Sequence, residues 1–244
     1  MKATIIALII MSGLFPSAWA IGSEGENMEK RHALNQRQQS IIPIAAFTAD
    51  GDINRLKAAL NKGLDNSLTI NEIKEVLVHL YAYTGFPRSL NALSAFMGVL
   101  DERKAKGIED VQGKEAGPIP SDLDKDKYGA KVRAMLAGRE TDISGAEWQL
   151  FSPAIDTFLK EHLFADIFVR DVISHQDREL ATIAALANMT GAGGQLGFHL
   201  GAAMNTGLTT AQLEDFISVL KTTISKAQAE SAQKVLTEVL NNRK

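Results

Sequence analysis

The stretch SHQDRELATIAALANMTGAGGQLGFHLGAAMNTGLTTAQLED, residues 174–215, decides how the rest of the chain is read. Its apolar residues recur at helical spacing and are interrupted by glycine clusters, so it reads as helix, loop, helix, cap and the start of a third helix. Ser174-x-x-Asp177 and Thr209-x-x-Gln212 have the form of helix N-caps, in which a side-chain oxygen accepts from a backbone N–H that the helix leaves unpaired. Residues 180–198 carry no charge, but Asn188, Thr190 and four glycines suit a buried helix and loop better than a membrane span.

The same unit occurs earlier in the chain. IAAFTADGDINRLKAALNKGLDNSLTINEIKEVL, residues 44–77, aligns with residues 183–217 at an offset of about 140 with one gap. Ile44-Ala45-Ala46 falls on Ile183-Ala184-Ala185, Leu56 on Leu196, Leu68-Thr69 on Leu208-Thr209, and Glu75 on Asp215. Thr69-x-x-Glu72 is a capping box in the first copy. Gly85 and Pro87 are expected to end its third helix; the second copy has KTTISKAQ there, and no break is expected. His199 stands where the first copy has Ala59. These differences suggest a composite site. Nowhere does the chain show strand-like alternation with hairpin turns, so the fold class is all-α. Residues 37–100 form the first repeat, the charged, Gly/Pro-bearing segment 101–127 a linker, and 128–240 the second repeat.

The N-terminus carries an address. Lys2 precedes the apolar run ATIIALIIMSGLF, Pro16 breaks it, and Ala18-x-Ala20 supplies a small-x-small cleavage pattern. Residues 1–20 are therefore expected to be a signal peptide cleaved after Ala20, which implies a periplasmic or secreted protein with no membrane attachment after cleavage. The net charge of −3 gives no footprint for nucleic acid. The chain has no cysteine, so it has no disulfide, thiol nucleophile or thiolate metal site. No His-x-His or HExxH spacing appears; neither a metal nor an organic cofactor is expected.

Residues 174–215 resemble the core of the carboxymuconolactone decarboxylase family: Arg-Glu-Leu, an Ala-rich helix, Leu-x-x-His, then Gly-Leu-Thr and an acidic helix start. LTINEIKEVLVHLYAYTGFPRSLNAL (68–93) resembles the following portion, and YGAKVRAMLAG and FSPAIDTFLKEHLFADIFVRD resemble its lead-in helices. The resemblance implies an alkylhydroperoxidase D-like helical fold in two tandem repeats and a homo-oligomer, here a trimer of two-repeat chains. One branch of that superfamily reduces peroxides with a Cys-x-x-Cys pair; a family-level peroxiredoxin label is disfavoured here by the absence of cysteine. The other branch decarboxylates a small lactone acid without a cofactor, which makes a small carboxylated lactone or related acid the expected partner and a carboxy-lyase the expected enzyme. The competing reading is an exported, non-catalytic small-ligand-binding or scaffold protein of the same fold.

Candidate residues follow from spacing and resemblance together. At about 100° per residue, Glu72, Glu75, His79 and Tyr83 fall within about 80° on one helix face. Glu75 and His79, at i and i+4, are expected to hydrogen-bond, the carboxylate raising the imidazole pKa towards the range useful for proton transfer. His199 matches the family histidine, and Glu179 opens the Ala-rich helix. Catalytic candidates are thus His199, Glu75, His79 and Glu179; substrate-binding candidates are Tyr83, Arg88 and Arg178, the arginines because a guanidinium grips a carboxylate through two parallel hydrogen bonds. For each there is a plainer reading: a solvated helix edge for Glu75, His79 and Arg88, a satisfied core histidine for His199, and a favourable charge in a first helical turn for Glu179. His162 and His175 show no partnering pattern.

Overall fold

The structure, a computed structural model, describes residues 33–243; the expected signal segment 1–20 lies outside them. Among the described residues every regular element is a helix. The first copy supplies α1 (Gln36–Asp50), α2 (Ile53–Asp65) and α3 (Ile70–Ala105). Helices α4 (Lys125–Leu136), α5 (Glu147–Phe151) and α6 (Pro153–Thr157) follow, and α6 runs into a π-helical segment, Phe158–Ile167. The second copy supplies α7 (His175–Leu186), α8 (Gly193–Asn205), α9 (Thr210–Val219) with a π-helical turn at Leu220–Ile224, and α10 (Lys226–Asn241).

The duplication is written into the backbone. In the first copy Ser67 adopts a left-handed conformation, φ 72°, and Ser67 and Leu68 return their N–H groups to Leu64 and Gly63. In the second, Gly207 at φ 103° and Leu208 return theirs to Met204 and Ala203. Both copies then bury a leucine, Leu68 or Leu208, and reopen a helix on a capping box, Thr69 with Glu72 or Thr209 with Gln212. α1 has a further box, Asn35 with Gln38, and so begins earlier than its apolar spacing from Ser40 suggests.

The break in the third helix needs correcting. α3 is kinked at Gly85, as Gly85 and Pro87 predict, with φ 77° and ψ 160°. The second copy breaks at the corresponding position too: Ser225 is extended, φ −161° and ψ 134°, and separates the π-helical turn from α10. Both copies must fold their last helical limb back over the second helix. Arg103, beyond the kink, reaches Asn61 and Asp65 of α2, while Val235 and Val239 of α10 close over Gly197 of α8. Only glycine readily adopts the first corner, whereas any residue adopts the second. No residue type therefore marked it.

The core lies where α1 meets α7. Residues 40–49 of α1 and 177–186 of α7 are buried throughout. Arg37 bridges the copies, bonding Glu72 at 2.7 Å and Asp177 at 3.0 Å. A second apolar cluster joins α4 to the π-helical segment through Val132, Leu136, Leu163, Phe164, Ile167 and Phe168, with Ala202 of α8 beneath it. Residues 107–124 form no helix but are strapped down. The carbonyls of Val111 and Gln112 accept the first N–H groups of α3, and Asp171 holds Lys114 and the Gly117 N–H.

Ser67 is exposed and pays the cost of a left-handed backbone that its counterpart Gly207 avoids. Ser67→Gly is expected to raise the unfolding free energy by about 0.5–1 kcal/mol, the relief of left-handed strain less the added freedom of the unfolded chain. Urea denaturation measures this, and a loss of stability would contradict the strain.

Candidate functional site

The kink at Gly85 ends a limb of α3 that turns one face, Glu75, His79 and Tyr83, onto α7. α7 answers with Arg178, Glu179 and Thr182, and α8 adds His199. Glu75, His79, Arg178, Glu179, Thr182 and His199 are all buried. The structure thus gathers every candidate but one. Arg88 lies beyond the kink, exposed, and its guanidinium donates to the Ala49 carbonyl at the end of α1. It braces that corner and does not reach the cluster.

The pairing within the cluster differs from expectation. Glu75 does not bond His79. It accepts from Arg178 Nη2 at 2.7 Å and from Arg170 Nε and Nη2 at 2.8–3.0 Å. Two guanidinium partners bind a buried carboxylate more strongly than a neutral ring. His79 Nε2 lies 2.8 Å from Thr182 Oγ1, and that hydroxyl already donates to the Arg178 carbonyl. His79 therefore donates from Nε2–H and presents a bare Nδ1. Burial, then the neighbouring Arg178 charge, push its pKa well below the ordinary value instead of raising it.

His199 and Glu179 form the second pair. Nδ1 of His199 lies 2.8 Å from Glu179 Oε2, which fixes the donor on Nδ1 and leaves Nε2 without a partner among the described residues. The ring is held edge-on between Tyr83, 5.4 Å away at 80°, and Phe198, 5.1 Å away at 88°. His199 and Tyr83 form the floor of a cavity of about 800 Å³, which the exposed Phe198 also lines. Its other walls come from the end of α4, from Ile143 and Trp148, and from Leu159, Leu163 and Phe164 of the π-helical segment. First-copy and second-copy residues thus meet on one floor. Glu75 and His79 lie behind it, and Glu75 instead edges a smaller crevice with Lys74 and Arg170.

Among the described residues, the buried side-chain polar atoms without a hydrogen-bond partner all belong to this cluster: His79 Nδ1, Tyr83 Oη, Arg178 Nε and Nη1, and Glu179 Oε1. Folded chains seldom leave such atoms unpaired, and their concentration here marks the site off from the apolar core. Burial and the nearby Glu179 charge push the Tyr83 phenol pKa up, so it stays protonated.

Sequence reasoning missed Arg170, Thr182, Trp148 and Arg139. Arg139 had one signal, a cation directly after the helix-stopping Ala137-Gly138. His162 and His175 do have partners, Asp166 at 3.0 Å and the Phe168 carbonyl at 3.3 Å. Among the described residues no group of three or more His, Asp or Glu is placed to hold a metal ion.

Comparison with known families gives a match to the carboxymuconolactone decarboxylase family over residues 15–97 and 153–238, one segment in each copy. No curated protein matches the chain.

The buried, neutral His79 gives a pH test. Its folded pKa is lowered, so between that value and about 6.5 the unfolded chain binds the extra proton. Stability therefore falls as pH drops below about 6.5, by up to ~1.4 kcal/mol per unit, and His175, also lowered by burial, adds in the same direction. His79→Gln keeps an N–H for Thr182 but cannot titrate. The stability difference between wild type and His79→Gln in urea should shrink by about 1 kcal/mol from pH 7.5 to 5.5; parallel curves would show that His79 is not buried neutral.

Proposed function

The chain belongs to the carboxymuconolactone decarboxylase family, and from that membership we propose that it is a cofactor-free carboxy-lyase acting on a small carboxylated lactone or related acid. The observation that carries this reading is the Glu179–His199 pair on the floor of a cavity of about 800 Å³ with largely apolar walls.

The pair suits the proton step of a decarboxylation. The carbon–carboxylate bond breaks, CO₂ leaves as a neutral molecule, and the electron pair stays on the substrate carbon, delocalised into an adjacent carbonyl. His199 delivers a proton from Nε2 to that carbon and regains it from water. Glu179 steadies the imidazolium through Nδ1–H and holds the ring's orientation. The apolar walls favour the step in which a carboxylate loses its charge. Glu75, Arg178 and His79 act from behind, by fixing α3 against α7, and the Tyr83 ring shapes the floor. The peroxide chemistry of thiol-bearing relatives has no nucleophile in a chain without cysteine.

A periplasmic or secreted location belongs to the same proposal, supported by the signal-like pattern of residues 1–20. Assembly into a homo-oligomer, a trimer of two-repeat chains, belongs to the same reading; the exposed Leu150, Phe151 and Phe158 support it.

The test is release of CO₂ from a panel of carboxylated lactones. On a substrate so found, His199→Gln is expected to lower kcat by about 10²–10⁴-fold and Glu179→Gln by about 10–100-fold. In D₂O the wild type should place one deuterium on the carbon that lost its carboxylate. Undiminished turnover in both variants would remove the pair from the mechanism.

A further inference from the structure

Two arginines line the cavity, Arg133 and Arg139, and they are not equivalent. Arg133 is committed. Its Nε and Nη2 hold both oxygens of Asp142 at 2.7 and 2.6 Å, and its Nη1 holds Asp156 at 2.5 Å. An incoming anion there would have to displace two carboxylates. The Arg139 guanidinium makes no hydrogen bond or ion pair among the described residues, and it stands at the solvent-facing mouth.

The backbone fixes where Arg139 stands. α4 ends in a left-handed Gly138, φ 66°, with the Gly138 N–H returned to Met135 and the Arg139 N–H to Ala134. This turn is clasped from α8: Asn205 donates to the Leu136 carbonyl at 2.8 Å, and Arg243 in turn holds Asn205 at 2.6 Å. A Cβ on Gly138 would come within 2.8 Å of Asn205 Nδ2, so the close approach is built on the absence of a side chain. Further in, the walls are the buried Leu163 and Phe164, with the half-buried Leu159 beside them.

We infer that Arg139 is the carboxylate anchor of this cavity: it binds one carboxylate of the ligand at the mouth and directs the ligand's apolar body inward to His199. The anchored carboxylate is the one the reaction retains. A departing carboxylate then lies inside, away from Arg139 and beside His199, and Arg133, the other arginine of the lining, is held by Asp142 and Asp156. The inference rests on the lyase reading only for which end of the ligand reacts; the recognition of a carboxylate by Arg139 stands on the geometry of the mouth.

The test uses 3-phenylpropanoate and its uncharged amide as probes of the full chain, by isothermal titration calorimetry. The acid should bind wild type at least about tenfold more tightly than the amide, the step expected of one charge-assisted pair. Arg139→Gln should lower acid affinity by about 10–100-fold and leave the amide unchanged, and Arg139→Lys should recover part of the loss. Arg139 is exposed, so the unfolding midpoint should not move. Equal binding of acid and amide to wild type, no binding of either, or an Arg139→Gln variant that still prefers the acid would overturn the assignment. On a confirmed substrate, Arg139→Gln should raise KM about tenfold or more and keep kcat within about threefold, whereas His199→Gln acts on kcat. An idle Arg139 beside a His199-dependent kcat would sink the anchor and spare the lyase; probe discrimination by Arg139 without any His199 dependence would do the reverse.

Discussion

The site depends on one buried carboxylate. Glu75, from the first copy, sits between Arg178 of the second copy and Arg170 of the segment leading into it, and is 2% exposed. Such a charge survives burial only while its partners stay in place. Removing one partner from a buried ion pair costs about 3–5 kcal/mol, because the other charge is left without compensation. That penalty fixes the register of α3 against α7. With Glu75 opposite Arg178, one turn further along His79 meets Thr182, and a turn beyond that Tyr83 comes to lie near Glu179 and His199. The ion pair is silent in the proposed chemistry, yet it sets the relative position of the two helices that carry it.

The two copies have divided the work. The second holds the Glu179–His199 pair, and the first has Ala59 in the place of His199. The first instead supplies Tyr83 and the polar backing beneath the floor. The roof lies outside the helix–helix–cap–helix unit that recurs at residues 44–77 and 183–217: α4 and the π-helical segment are packed onto each other by their own small apolar cluster. A composite site made this way needs both copies, which explains why the inter-copy contact is a buried helix pair reinforced by Arg37, Asp177, Glu75 and Arg178 and not a loose seam.

Much of this was legible in the sequence where the cause is local. The caps at Thr69, Ser174 and Thr209 depend on residues three apart, and the kink at Gly85 on a backbone that favours glycine. The repeat was legible because buried positions recur at a fixed offset. What failed was long-range or not specific to residue type. Glu75 finds partners 95 and 103 residues away, so its nearest candidate in sequence, His79, was the wrong one. Ser225 makes a corner with extended backbone, which no residue type announces. Arg88 reads as a free cation until the fold brings the Ala49 carbonyl to it. Arg139 shows its place only once α8 clasps the turn before it.

The winding of Phe158–Ile167 carries a different consequence. A π-helix holds an extra residue per turn compared with an α-helix and is usually confined to short insertions at functional places. Here it spans ten residues and carries Leu159, Leu163 and Phe164, three of the cavity's walls. Loss of a single residue from this run would let it tighten, rotating those side chains to new bearings, while the Glu179–His199 pair on α7 and α8 kept its footing. In the proposed reading, reaction and ligand shape are therefore carried on separate pieces of chain. A lineage could exchange one small acid for another by lengthening or shortening the roof, and leave the floor as it was.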